Sequence, residues 1–115
     1  MRTKKPASNP KHDEIIKSLE DRLRSNNREV WTEHKYNHNG DHEADILVLN
    51  FKRKYAYAIE VKKTNNYKSR KKAKEQLDYD EDYLRERWGM KKVFKFYAHG
   101  NRKKHNDLYQ IHHII

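Results

Sequence analysis

The chain has 115 residues, no Cys, and 27 Lys and Arg against 17 Asp and Glu, for a formal net charge of +10 at neutral pH. The length suits one domain. The missing Cys excludes a disulfide framework, a Cys-based zinc finger and a thiol nucleophile, and no apolar run approaches the roughly 20 residues that cross a bilayer.

Hydrophobic residues reach only 34%, against roughly 45–50% in an ordinary soluble domain. They are nevertheless clustered and periodic, and include 2 Trp, 8 Tyr and 3 Phe. A small folded domain with a thin core and a charged surface fits better than a disordered tail. Met1 is followed by a basic, Pro-containing stretch without an apolar segment, so no secretory signal is visible and a cytoplasmic location is expected, the host cytoplasm if the origin is viral. The charge favours a polyanionic partner, most often nucleic acid.

Residues 1–10 read as a flexible basic arm, with Ser8 or Asn9 placed to cap the helix that follows and Pro10 in its first turn. The domain spans 11–115. From Lys11 to about Asn26, Ile15, Ile16, Leu19 and Leu23 fall at helical spacing. Glu29 to Tyr36 reads as a strand, and Asn37 to Gly40 as a loop. Ala44 to Phe51 and Tyr55 to Lys63 are two further strands, joined at Phe51 to Lys54 although none of those residues is a strong turn former. Ala73, Leu77, Leu84 and Trp88 mark one face of a helix from about Lys68 to Trp88, ended by Gly89. A fourth strand covers Val93 to Ala98 and a fifth Leu108 to Ile115. The order α-β-β-β-α-β-β predicts one α/β domain with a mixed central sheet flanked by helices.

The central hairpin carries the informative residues. With its turn centred between Lys52 and Arg53, Asp45 faces Glu60, Leu47 faces Ala58 and Glu43 faces Lys62. Alternation then puts Asp45, Leu47, Leu49, Ala56, Ala58, Glu60 and Lys62 on one face, and Ala44, Ile46, Val48, Tyr57, Ile59 and Val61 on the other. Both faces are mainly apolar, as in a sheet covered on each side. The pattern breaks at one end with two acids and a lysine. Like charges directly opposed in a sheet are destabilising unless neutralised, and carboxylates, a backbone carbonyl and waters are the hard ligands that Mg²⁺ or Mn²⁺ prefers. A metal-assisted phosphodiester hydrolysis site is one account, with Lys62 orienting water and offsetting developing charge. The other is a structural ion-pair cluster in which Lys62 neutralises its acidic neighbours.

Asp45 with Glu60-Val61-Lys62, split by a short hairpin and preceded by a helix, resembles the PD-(D/E)XK nuclease superfamily, over roughly Lys11 to Ala98. Ala44 stands where that family often has Pro. The resemblance implies a restriction-endonuclease-like core and a Mg²⁺-dependent deoxyribonuclease, with Mn²⁺ substituting. It implies Asp45, Glu60 and the Val61 carbonyl as metal ligands, Lys62 as catalytic lysine, and an acid from the first helix, for which Glu14 or the adjacent Asp13 is the candidate. Gln76, followed by Leu77 and Tyr79, looks like the Gln-and-Tyr pattern of RecB-like members and becomes a candidate catalytic or substrate-contacting residue.

Lys63, Lys68, Arg70, Lys71 and Lys72 adjoin the site in sequence and could hold a DNA backbone or form a solvated helix face. Arg102, Lys103, Lys104 and His105 make a second basic loop, and Asp78, Asp80, Glu81 and Asp82 an acidic surface patch. His38 and His42 flank Gly40 and Asp41, where a zinc site would need further ligands; Asp41 and His42 could instead touch the active-site metal or substrate, since the loop leads to Asp45. Small size, together with Trp31, Tyr36 and Trp88 as exposed aromatics, suggests a homodimer. The expected function is a metal-dependent nuclease acting on DNA; the alternative is a non-catalytic nucleic-acid-binding domain of the same fold.

Overall fold

The computed structural model describes residues 12–24, 28–38, 40–100 and 109–114, without the side chains of Tyr109 and Gln110. The basic arm, the caps at Ser8 and Asn9, Asn26 and Asn27, and the loop of Arg102 to His105 lie outside the described residues. The elements follow the expected order: α1 (His12–Arg24), β1 (Glu29–Asn37), β2 (Asp41–Asn50), β3 (Tyr55–Lys62), α2 (Tyr67–Trp88), β4 (Lys92–Gly100) and β5 (Tyr109–Ile114). The strands lie in one sheet in the order β1-β2-β3-β4-β5. All neighbours are antiparallel except β3 and β4, which are parallel and connected through α2.

Each helix covers one face, which makes this a single α/β domain. Ile15, Ile16 and Leu19 of α1 pack on Val30, Ile46, Val48, Ile59, Val61 and Ala98. Leu77, Tyr83 and Leu84 of α2 pack on Tyr36, Ala44, Leu47, Leu49, Ala56 and Ala58. The N-terminus of α2 is capped by Asn66, whose side chain accepts the Ser69 amide at 2.8 Å. Its C-terminus is closed by Gly89 at φ 68°. The unremarkable turn residues Phe51 to Lys54 work because Asn50 Oδ1 accepts the Arg53 amide at 2.8 Å and Lys54 takes a left-handed conformation at φ 62°. No helix of the described residues is long and apolar enough to cross a membrane.

The β2–β3 register matches the expected one from Ile46–Ile59 to Asn50–Tyr55, and Leu47 faces Ala58. It then stops. Asp45–Glu60 and Glu43–Lys62 are not part of the ladder, and the exposed Glu43 pairs with Lys35 of β1 instead.

The cause is a slip in alternation. Trp31 and Leu47 face α2, and so do His34 and Ala44, three residues further along each strand. Glu33 lies between Trp31 and His34 at φ 48°, a conformation side chains rarely adopt, and the pair Glu33–Asp45 is missing from the β1–β2 ladder. Ala44 therefore belongs to the α2 face, not to the face of Ile46 and Val48.

The aromatics expected at the surface are packed. Tyr36 is buried, and Trp31 and Trp88 meet edge to face at 5.7 Å with Phe51 beside them. A homodimer argument gains nothing from them.

Candidate active site

The site forms where β2 and β3 part. Asp45, released from alternation, turns its carboxylate into the gap and accepts the Val61 amide through Oδ2 at 2.8 Å. A side chain thus takes the place of the carbonyl that a continued ladder would have supplied. From α1, His12 Nε2 reaches the same oxygen at 3.2 Å. The hydrogen bond to Asp45 raises the His12 pKa above its ordinary value against the opposing effect of burial. His12 escaped the sequence reading, whereas Glu14 is exposed on α1; the described contact from this helix to Asp45 is made by His12.

Glu60 follows Ile59, the last ladder residue, and is buried at 6% exposure. Burial pushes its carboxyl well above the usual range, and the neighbouring carboxylates of Asp45 and Asp80 push it further; Lys62 opposes them. Lys62 Nζ lies 3.6 Å from Glu60 Oε2, with about a third of its side chain exposed (30%). Val61 between them is fully buried and packs under α1.

Asp80 is the unexpected member. It does not join a surface acidic patch: it is fully buried on the inner face of α2. Its Oδ1 accepts Tyr36 OH at 2.5 Å and Gln76 Nε2 at 2.8 Å, and Gln76 also donates to Tyr36 OH at 3.3 Å. Burial raises Asp80 to about 7, although these hydrogen bonds pull it down. The Tyr36 hydroxyl is held well above its ordinary value by burial and by Asp80. Gln76 joins this cluster through its hydrogen bonds to Asp80 and Tyr36. Asp78 and Glu81 of that patch each bind Lys95 at 2.9 Å and tie α2 to β4.

Two buried oxygens, Glu60 Oε1 and Asp80 Oδ2, have no hydrogen-bond partner among the described residues. An unpaired buried carboxylate oxygen is costly unless a proton or cation meets it. The donor set of carboxylates with a nearby backbone carbonyl is hard and suits Mg²⁺ or Mn²⁺. Among the described residues no group of three or more His, Asp or Glu is spaced to hold a metal ion by itself, so a cation here would depend on carbonyl and water ligands as well. The residues fit such an ion on those terms.

Comparison with family models, with curated proteins and with solved structures returned no match. The family resemblance therefore rests on these residues and their placement alone.

The basic residues expected beside the site are all exposed. Lys63 lies in the connection to α2, and Lys68, Arg70, Lys71 and Lys72 on its first turns. Arg70 also holds that connection, donating to Asn65 Oδ1 at 3.1 Å. Lys68, Lys71 and Lys72 line a surface groove of about 520 Å³ with Glu75 and Tyr67, an aromatic ring left 72% exposed. A second groove, about 730 Å³, is lined by Lys35, Tyr36, Asn37, Asp41, His42 and Glu43. His42 there stacks on Tyr79 at 4.1 Å, and His38 meets the edge of the Tyr83 ring at 6.4 Å. These contacts turn both histidines toward α2.

Proposed function

We propose that the chain is a metal-dependent nuclease of PD-(D/E)XK type that hydrolyses DNA phosphodiester bonds. The observation that carries the reading is the parted hairpin. Asp45 is fixed by a backbone amide at the strand break, Glu60 is buried beside it with one oxygen unpaired, and Lys62 lies 3.6 Å from Glu60. A hydrophobic strand pair gains no stability from such a cluster; a ligand-binding site needs it.

In this reading Asp45, Glu60 and the Val61 carbonyl hold a divalent ion, which when bound polarises a phosphoryl oxygen and acidifies water. The Val61 amide and His12 hold the Asp45 carboxylate in one orientation. Lys62, partly exposed, orients the attacking water and offsets charge that develops on the phosphate. Asp80, tied to Tyr36 and Gln76, adds a third buried carboxyl group whose charge raises Glu60. The exposed lysines of α2 grip the backbone and carry no sequence information. The site also lies at the carboxyl ends of the parallel strands β3 and β4, the usual position of a ligand crevice in α/β sheets.

The test is cleavage of supercoiled plasmid and of labelled duplex, flap, junction and single-stranded oligonucleotides with Mg²⁺, Mn²⁺ or EDTA, wild type beside Glu60→Ala and Lys62→Ala. Metal-dependent cleavage lost in both variants, with binding retained, supports the reading. Salt-sensitive binding without cleavage on any substrate would leave a non-catalytic DNA-binding domain.

A further inference from the structure

The sheet face that carries Glu60 and Lys62 continues across β4 and β5. Glu60 and Lys62 pair in register with Tyr97 and His99, and Tyr97 with His112. At that far end two imidazoles meet. His99 Nε2 lies 3.1 Å from His112 Nε2, with ring centroids 5.1 Å apart and planes inclined by 13°.

The protonation pattern is constrained. His99 Nδ1 is 2.9 Å from the Gly100 carbonyl. A carbonyl only accepts, so this nitrogen carries the proton and the neutral ring presents a bare Nε2 to His112. A ring N–H held by a backbone carbonyl while the other nitrogen is left free is the arrangement that orients metal-ligating histidines. The spacing agrees. At metal–nitrogen distances of about 2.0–2.1 Å, two ligands on one ion at angles between 90° and tetrahedral lie roughly 2.9–3.4 Å apart.

We propose that His99 and His112 form a two-nitrogen site for a borderline transition-metal ion such as Zn²⁺ or Ni²⁺, separate from the carboxylate site and unsuited to Mg²⁺, which prefers oxygen. The inference does not rest on the nuclease reading. His99 is buried at 6% exposure and supplies a fixed ligand; His112 is exposed, so water completes the coordination. Without metal, the single proton between the rings sits on His112 Nε2 and is donated to His99. On binding it moves to His112 Nδ1, leaving both Nε2 lone pairs for the ion with no proton released. The other groups on this face do not compete, since Tyr97 OH is donated to the Thr64 carbonyl and the Lys62 ammonium faces Glu60. The ion would clip edge strand β5 to β4. His113 is excluded, since it packs against Phe94 and Phe96.

The experiment uses the untagged full chain, titrated calorimetrically with Zn²⁺, Ni²⁺ and Mg²⁺ and melted in each. Imidazole nitrogen NMR follows the rings. Zn²⁺ and Ni²⁺ should bind with one equivalent at this pair and raise the melting temperature by several degrees. Mg²⁺ should not reproduce this, and the His99 and His112 resonances should shift together. His112→Ala, a change at an exposed position, should abolish the effect, while His113→Ala should keep it. Uptake undiminished in His112→Ala, equal loss in His113→Ala, or ring signals indifferent to metal would overturn the proposal.

Discussion

Glu60→Gln should make the metal-free protein more stable while removing its cleavage activity. Folding buries Glu60 beside Asp45 and Asp80 and leaves Oε1 unpaired, so the folded state holds a proton that the unfolded chain releases near the ordinary value of 4.5. A raised acid pKa means that more protons are bound folded than unfolded, so stability falls as pH rises above 4.5. At pH 7 the cost is bounded by 2.5 pH units, which at about 1.4 kcal/mol each comes to about 3.5 kcal/mol however far the folded value is raised. Glutamine removes that cost but deprives Lys62 of its partner at 3.6 Å. A net gain of about 1–3 kcal/mol is therefore expected at pH 7 in EDTA, or roughly 5–15 °C in melting temperature. The gain should shrink toward zero as pH falls to 4.5. Adding Mg²⁺ should stabilise the wild type by mass action and the variant far less. Chemical denaturation and thermal melting across pH, with and without metal, measure each part. A variant no more stable than wild type at pH 7 in EDTA, or one stabilised equally by Mg²⁺, would refute the reasoning.

Other outcomes follow from the same geometry. Lys62→Ala should lower metal-dependent cleavage by about 10²-fold or more with oligonucleotide affinity, read by fluorescence anisotropy, nearly unchanged. Replacing Lys68, Lys71 and Lys72 together by Ala should weaken duplex binding and reduce the slope of log affinity against log salt by up to about 2.7; an unchanged slope would remove that groove from the interface. Tyr36→Phe withdraws the 2.5 Å donor to buried Asp80 and should cost roughly 1–3 kcal/mol in urea denaturation. Burial raises Glu81, but hydrogen bonds from Lys95 and Arg85 outweigh it and hold the carboxyl below its ordinary value. Its contribution is therefore present above the unfolded pKa and lost as pH falls through the folded one. Lys95→Met should cost about 1 kcal/mol at neutral pH, and the gap to wild type should narrow in acid.

Much of the fold was legible because the apolar residues of this charged chain are confined to periodic positions. Helical spacing at Ile15, Ile16 and Leu19, and at Ala73, Leu77 and Leu84, located both helices, and the double-sided apolar hairpin located the middle of the sheet. The register from Ile46–Ile59 to Asn50–Tyr55 followed from centring the turn, since a one-residue slip would have exchanged the two faces. What escaped was the interruption. Nothing in Thr32-Glu33-His34 announces a left-handed residue, because glutamate disfavours that conformation and only the surrounding sheet imposes it. Ala44 was misassigned for that reason, and Asp45 was expected inside a ladder that it terminates. Asp80 was readable: it stands three residues after Leu77 and four before Leu84, on the buried face, but the neighbouring Asp78, Glu81 and Asp82 made it look like part of a solvated patch. His12 lies at the edge of its helix, where periodicity carries little information.

The overall charge and the site charge point in opposite directions, and this orders the events at the site. A field of +10 draws a polyanion toward the molecule. A phosphate arriving at the parted strands meets Asp45, Glu60 and Asp80, and burial raises Glu60 and Asp80 so that the metal-free site holds protons. Screening limits surface charges to about 8–10 Å of influence at physiological salt. Among the described residues the ion pairs to Asp45 and Glu60 come from His12 and Lys62, not from the basic residues of α2. When a phosphate approaches Lys62 the acids are therefore neutralised either by the protons they hold without metal or by a cation that replaces them. Protons would disable the carboxylates as metal ligands; a cation would not. Cleavage should accordingly depend on metal while DNA binding to α2 should not, and a divalent-independent affinity beside a strictly divalent-dependent rate is the signature that separates this arrangement from a passive basic surface.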